Sequence, residues 1–369
     1  MHFSSTKEEL LNAIQVVQRA VSPRNPLPIL SGIKFETGEG SVTISATDLE
    51  LGISCSFPAE ISEPGKTVLP ARVITELARR FPNVKIFFKS DPLNGSVIIQ
   101  YGKSEASING YPVEEFPEFT IPADNTKFTI SGEILKEVIS QVIFATARDE
   151  NRPLYTGILF EINNGTANIV ATDTHRLAWR KILLDGIGDL DINLIIPGKT
   201  LNELTRVAGL SDRLDITVAE NQVIFETKNI SLVSRLIGGN FPNYRQVIPG
   251  DYISKTRLKT RDLIEASERA SLLTSEGAPI IKISIENSIL VVSVNTEAGR
   301  MREEMSVYHE GEGLQFAFNA RYLNDALKAI GTDEVVMEFT GPLSPVIIKP
   351  VEEMEYLSLL LPVRLREES

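Results

Sequence analysis

Two stretches of the chain begin alike in matching surroundings: Ala46-Thr-Asp-Leu-Glu-Leu-Gly-Ile53 and Ala171-Thr-Asp-Thr-His-Arg-Leu-Ala178. A third, Ser288 to Met305, keeps the strand pattern Ile-Leu-Val-Val-Ser-Val-Asn-Thr-Glu but has lost the Thr-Asp pair. The unit recurs at about 125 residues, the size of a whole domain and far longer than a solenoid repeat. A period of that length restricts the chain to three tandem copies of one domain.

The other parts of the unit recur in the same order. Each copy opens with an amphipathic helix, expected over Lys7 to Val21, Glu133 to Ala147 and Arg261 to Leu273. Their apolar faces would be Leu10, Leu11, Ile14, Val17 and Val21, then Ile134, Leu135, Val138, Ile139 and Val142, then Leu263, Ile264 and Leu272. Ser5 or Thr6 followed by Glu8 or Glu9, and Ser131 before Glu133, are capping signals. A second helix follows in each copy, over Ala71 to Arg80, Lys199 to Ala208 and Ala320 to Ile330, with Pro70, Pro197 or Asn319 just ahead of it. Alternating runs such as Ser41-Val-Thr-Ile-Ser-Ala and Thr166-Ala-Asn-Ile-Val-Ala read as strands, and turns such as Asn163-Asn-Gly-Thr and Asp91-Pro-Leu-Asn-Gly separate them. No long crossovers lie between them, so the strands pair antiparallel and the class is α+β. Pro122 and Pro249-Gly250-Asp251 mark the expected boundaries, giving domains 1–122, 123–250 and 251–369.

Composition excludes some classes. Apolar residues make up 42% and charged residues 23%, a globular balance, and no apolar run reaches the roughly 20 residues of a membrane helix. The start Met1-His-Phe-Ser-Ser-Thr-Lys-Glu-Glu has neither the basic opening nor the apolar stretch of a signal peptide, and Cys55 is the only cysteine. A cytoplasmic location is expected. The net charge of −12 argues against a nucleic-acid binder with an overall basic surface. Yet Arg24, Arg72, Arg79, Arg80, Lys136, Arg148, Arg152, Lys199, Arg206, Arg321 and Lys328 gather on or beside the helices. If those helices faced one cavity, the cavity would be positive inside an acidic shell; otherwise these are solvated helix faces.

Searches for catalytic chemistry fail. Gly198-Lys199-Thr200 resembles the end of a phosphate loop, but the earlier glycine falls at Asn193. Asp189 to Asn193 opens like a calcium loop, but Leu194 and Thr200 occupy its glycine and glutamate positions. With His2, His175 and His309 the only histidines, a histidine-rich metal site cannot be built, and no cofactor is implied. His175 beside Asp173 suggests a triad only by adjacency, and neighbours on an extended strand point to opposite faces. The competing enzyme reading is a three-domain hydrolase or transferase with its site near His175.

Further marks are Arg24 with Leu27-Pro-Ile-Leu30, Phe241-Pro-x-Tyr-Arg245 and Leu361-Pro-Val-Arg-Leu365. With the two Thr-Asp segments they resemble, over nearly the whole chain, the bacterial sliding clamp, the β subunit of the DNA polymerase III holoenzyme. The resemblance implies three clamp domains, each with two helices packed on antiparallel sheets. It further implies a head-to-tail homodimer, a six-domain ring around double-stranded DNA with helices inside and a continuous sheet outside. The protein would be a non-enzymatic processivity factor whose basic residues Arg24, Arg72, Arg79, Lys136, Arg148, Arg152, Lys199, Arg206 and Arg321 meet the DNA without reading its sequence. The dimer contact would join the edge strand Lys103 to Asn109, with Ala106 and Ile108, to Leu272 and Leu273. A pocket between the second and third domains would take short apolar peptides from the polymerase III catalytic subunit, the clamp loader, other polymerases and repair proteins. Its matching positions are Tyr155, Thr172, Thr174, His175, Arg176, Leu177, Pro242, Arg245, Val247, Asn319, Tyr322, Leu343, Pro345, Leu361, Pro362, Val363 and Arg364. Thr174 stands where glycine is common in the family, Tyr155 and Pro345 alter the pocket, and the family often has an aromatic where this chain has Ala106. The tail Arg366-Glu-Glu-Ser369 could cover the pocket mouth.

Overall fold

The computed structural model describes residues 1–22, 27–91, 95–118, 125–149, 151–184, 187–207, 213–274, 277, 279–352 and 354–364. Helices among these residues are α1 (Lys7–Val17), α2 (Ala71–Arg80), α3 (Gly132–Val142), α4 (Pro153–Thr156), α5 (Gly198–Val207), α6 (Thr260–Ser271) and α7 (Ala320–Ile330). Among the described residues all strand pairings are antiparallel, as expected from the short connections. The three-copy clamp fold is present, but the chain divides into two compact units that cut across the copies. One is Met1–Ile134 with Thr200–Leu236, and the other is Leu135–Lys199 with Ile237 onward.

In the first unit a five-stranded sheet runs Glu60–Glu63, His2–Thr6, Lys85–Ser90, Ser96–Tyr101, Ser104–Asn109. Phe3, Phe35 and Phe88 stack in the core, with 4.7 Å between the Phe3 and Phe88 ring centroids. An eight-stranded sheet joins Thr126–Ile130, Leu214–Val218, Gln222–Glu226 and Ile230–Arg235 to Leu51–Pro58, Ser41–Thr47, Gly32–Thr37 and Lys66–Pro70. The central seam pairs Ile230–Arg235 of the middle copy with Leu51–Pro58 of the first, which carries the middle copy's second helix side into this unit.

Local chemistry sets the helix ends here. Thr6 caps α1 by accepting from Glu9 N, and the Glu9 carboxylate reaches back to Thr6 N, a capping box that satisfies two otherwise orphaned donors. Leu10, Ala13, Ile14 and Val17 are buried, and burying each larger side chain contributes about 1.5–3 kcal/mol. Leu11, about 100° round the helix from Leu10, is only half-buried; Val21 is half-buried too, because α1 stops at Val17 and tightens into a single 3₁₀ turn, Gln18–Ala20, so Val21 is not on the helix.

The second unit holds a nine-stranded sheet in the order Asp191–Pro197, Gly157–Asn163, Thr166–Thr172, Arg176–Leu183, Tyr356–Leu360, Val346–Pro350, Glu334–Phe339, Ser254–Lys259, Tyr308–Gly311. Its seam pairs Arg176–Leu183 of the middle copy with Tyr356–Leu360 of the third, from Arg176 opposite Leu360 to Arg180 opposite Tyr356. A four-stranded sheet runs Gly299–Ser306, Ile289–Thr296, Ile280–Glu286, Leu314–Asn319. The Asn164-Gly165 turn has φ of +49° and +73°, the left-handed pair a two-residue hairpin requires. The Asp91 turn has its centre outside the described residues.

Two helical faces differ from expectation. Leu135, Val138, Ile139 and Val142 are buried at helical spacing, whereas Ile134, one residue and about 100° away, is 43% exposed. In α6 the buried set is Thr260, Leu263, Ala266, Ser267 and Ala270, with Ile264 packed partly against the core. Leu272 lies beyond the helix end and is 82% exposed, so it does not belong to the core face, while Leu273 packs partly against the core.

Candidate functional site

The Thr-Asp repeat is a turn, built twice with the same hydrogen bonds. In the first copy the Thr47 hydroxyl donates to Leu51 O at 3.0 Å and accepts from Leu49 N at 2.9 Å, and Asp48 accepts from Glu50 N at 3.1 Å and Leu51 N at 2.8 Å. In the second the Thr172 hydroxyl donates to Arg176 O at 2.8 Å and accepts from Thr174 N at 3.3 Å, and Asp173 accepts from His175 N and Arg176 N, both at 3.0 Å. Leu49 and Thr174, the third residues, both sit at φ +79°, which is strained for a side chain with Cβ and explains why glycine is acceptable there. Opposed residues Thr47 and Gly52, and Thr172 and Leu177, enclose four turn residues, but Thr296 and Gly299 enclose only two. The third copy has lost the pair because its shorter turn has no place for it.

This geometry also corrects the reason for rejecting a triad. Residues 173–175 are not extended strand; they form the turn itself, and the Asp173 carboxylate is committed to the turn amides and to Arg176. The histidine is thereby left without its orienting acid.

Arg176 takes the place that Leu51 holds in the first copy, and it organises a cleft. It is 6% exposed; its Nε donates to Asp173 at 2.9 Å and its Nη1 to Asp325 of α7 at 2.7 Å. Its guanidinium lies 4.3 Å from the Tyr322 ring centroid and 5.4 Å from that of Phe144. A buried guanidinium held by two carboxylates and two rings has its charge compensated and its position locked. Around it opens a cleft of about 440 Å³, lined by Thr146, Ala147, Arg148, Asp149, Arg152, Asp173, Thr174, His175, Arg176, Arg321, Tyr322 and Asp325. The His175 and Tyr322 rings face each other at 6.3 Å, and Asn319 caps α7 by accepting from Arg321 N and Tyr322 N.

Several other expected pocket positions attach to the same frame. Leu361 N donates to His175 O at 2.9 Å and Val363 N to Ala317 O at 2.7 Å, tying residues 361–363 to the turn and to the strand Leu314–Asn319 that leads into α7. Val346 pairs with Leu360, so Pro345 and Leu361 leave the same end of one hairpin. Tyr155 N donates to Arg152 O at 3.0 Å, placing the half-buried Tyr155 one turn behind the cleft wall. Leu177 is buried at 2% exposure among Leu159, Val170, Ile195, Tyr244, Ile347, Leu357 and Leu359, so it is floor and not surface. Val247 and Leu343 are exposed at 51% and 59%, Arg364 is exposed, and Pro242 and Pro362 are half-buried. Arg245 is engaged elsewhere: with Tyr244 and Asn168 it surrounds the Glu161 carboxylate, while the Trp179 indole donates to Asn168. The Arg245 guanidinium, with burial opposing it, holds Glu161 below the ordinary carboxylate value.

The expected DNA residues fall into two groups. Arg72 and Arg79 on α2 and Arg206 on α5 belong to the first unit, where Arg79 pairs with Glu76 at 2.8 Å and Arg206 with Glu203 at 3.4 Å. Lys136 on α3 and Lys199 on α5 are exposed in the second unit. Arg148, Arg152 and Arg321 line the cleft beside His175, a grouping the sequence did not indicate. Arg24 and the tail 365–369 lie outside the described residues. Of the expected dimer residues, Ala106 and Ile108 lie on Ser104–Asn109, an edge strand, with exposed Lys103 just before it.

The cleft also holds Arg148, Asp149, Arg152, Asp173, Arg321 and Asp325, none of which is among the expected pocket positions. Asp173 was readable from the repeated Thr-Asp, and Asp325 from its spacing of three and four residues after Tyr322 and Arg321 on one helix. Among the described residues no group of acids, histidines and cysteines could hold a metal ion.

The sequence matches the DNA polymerase III beta subunit family in three parts: the N-terminal domain over residues 1–121, the central domain over 129–243 and the C-terminal domain over 245–364. It is 35% identical over 376 residues to a beta sliding clamp of Staphylococcus epidermidis, covering 99% of both chains. It is 34% identical to that of Bacillus subtilis, covering 99% of this chain and 100% of the relative. The crystal structure of the Bacillus subtilis DNA polymerase sliding clamp superposes with a TM-score of 0.95 at 33% identity, over 99% of this chain and 100% of that one.

Proposed function

The chain belongs to the family of the DNA polymerase III beta subunit, the sliding clamp that serves DNA replication without catalysing a reaction, and from that premise we propose that two copies close head to tail into a ring around duplex DNA. One observation carries the ring. Each Thr-Asp turn is followed by a strand that pairs with the last strand of another copy: Leu51–Pro58 with Ile230–Arg235, and Arg176–Leu183 with Tyr356–Leu360. The third set, Gly299–Ser306 and Ser104–Asn109, consists of two edge strands with open backbone donors and acceptors. Pairing them between two chains, with Leu272 covered beside the seam, repeats the internal seams and removes both edges. Imaging of negatively stained protein at micromolar concentration tests this reading: six-lobed rings with a central hole support it, and compact particles without a hole refute it.

A ring that must slide holds DNA by topology. The net charge of −12 keeps DNA off the outside, while Arg72, Arg79, Lys136, Lys199 and Arg206, and Arg24, offer sparse phosphate contacts inside, in large part through water. The domains are taken as 1–122, 123–250 and 251–369. The cleft around Arg176 and the terminal segment at Leu361 to Arg364 are the docking site for short apolar peptides of the replicative polymerase, the clamp loader, other polymerases and repair proteins. Apolar walls at Val247, Leu343 and Leu361, with open backbone and a few charges, suit an extended peptide. No described helix is long and apolar enough to cross a membrane, and a part in DNA replication fits the cytoplasm as its compartment. The hydrolase or transferase reading loses its support with the commitment of Asp173 to the turn.

A further inference from the structure

Resting on the peptide-docking reading above, we propose that the arginine lobe of the cleft reads a carboxylate, so that preferred partners carry an Asp or Glu flanking their apolar segment. Arg148, Arg152 and Arg321 are exposed, line the cleft and have no acidic partner among the described residues. The acids of the cleft are engaged: Asp173 and Asp325 by Arg176, and Asp149 by the Asn151 amide at 3.0 Å and its side chain at 2.6 Å.

Among the described residues the cleft holds four arginines and three aspartates, a net balance of one positive charge. That complements a single carboxylate. A run of phosphates would be opposed by the three aspartates of the same cleft, which a single carboxylate set among the arginines meets less. Arg321 adds a second observation: it lies in the first turn of α7, which holds no acidic residue, so its charge opposes the positive end of the helix dipole. A bound carboxylate reverses that repulsion, and the planar guanidinium fork matches it in two parallel hydrogen bonds. The Tyr322 and His175 rings supply an apolar wall for the neighbouring part of the same peptide.

The experiment is fluorescence anisotropy of the full chain with three labelled peptides sharing the core Leu-Ser-Leu-Leu: one flanked by glutamine on both sides, one with glutamate before the core and one with glutamate after it. One glutamate peptide should bind about tenfold tighter than the glutamine peptide at low salt. The preference should shrink to within about twofold in the double variant Arg152→Gln, Arg321→Gln, and fall with added salt. Arg321→Gln alone should leave the melting temperature unchanged or raise it, which a structural role for Arg321 would not do. Equal binding of all three peptides would overturn the carboxylate inference while sparing the docking site. Failure of all three to bind would overturn both. Variants that weaken duplex DNA binding but keep the glutamate preference would assign these arginines to DNA and also overturn it.

Discussion

Removing the Asp173 carboxylate should cost far more than removing its counterpart Asp48, although both cap the same turn. Asp173→Ala deletes two bonds to backbone amides at 3.0 Å and the 2.9 Å bond from Arg176 Nε, leaving a guanidinium that is 6% exposed with Asp325 as its remaining acid partner among the described residues. Two capping bonds contribute about 1 kcal/mol each, and breaking one arm of a buried charge network brings the total to about 3–5 kcal/mol. Asp48→Ala also deletes two amide bonds, which contribute about 2 kcal/mol, but Leu51 stands where the second copy has the buried arginine, so no guanidinium of that turn is stranded. Asp173→Asn, which keeps an acceptor oxygen without the charge, should fall between.

Each unit has its own native reporter for the assay. Trp179, the only tryptophan, sits three residues along the strand from Arg176 in the second unit, and Cys55, the only cysteine, is buried in the seam of the first. Burial pushes the Cys55 thiol up to about 11, so it should react with thiol reagents only when that sheet opens. In urea, Asp173→Ala should move the tryptophan transition and Asp48→Ala the onset of thiol labelling. A tryptophan shift for Asp173→Ala below about 1 kcal/mol, or no larger than the loss from Asp48→Ala, would refute the claim that Arg176 depends on this carboxylate.

Three further outcomes are expected. Leu272→Asp places a charge on a side chain that is 82% exposed in the single chain, so sedimentation should show folded monomers in place of dimers; an unchanged dimer mass would remove Leu272 from the interface. Thr174→Gly relieves a φ of +79° at about 1–2 kcal/mol while adding about 0.4–1 kcal/mol of unfolded-state freedom, so urea unfolding should show little change or a gain of up to about 1.5 kcal/mol, and a clear loss would show that the Thr174 side chain is needed. Because Arg245 lowers the Glu161 carboxyl below 4.5 in the folded protein, the stability it supplies is complete above that pH and is lost as pH falls through the lowered value. Glu161→Gln should therefore weaken the protein at neutral pH and flatten the acid limb of its stability curve below about pH 4.5; an unaltered acid limb would contradict that assignment.

Sequence alone determined whatever is closed by neighbours along the chain. The α1 capping box spans four residues, the Asn164-Gly165 hairpin turn two, and the Thr-Asp turn five, so each is set by the local residues and repeats wherever they repeat. Helical phase likewise places Leu135, Val138, Ile139 and Val142 on one face, and only the neighbouring Ile134 escapes it. Tertiary structure decided the rest. A strand exposes the same backbone groups whatever its side chains, so nothing within Leu51–Pro58 or Arg176–Leu183 specifies pairing with a strand of another copy. Arg176 meets Asp325, 149 positions away, across elements that only the tertiary fold brings together. For the same reason Arg148, Arg152 and Arg321 read as scattered helix charges in the sequence and become one lobe of a cleft in the fold: charges act through space, and chain spacing carries no record of which distant groups will be brought within reach.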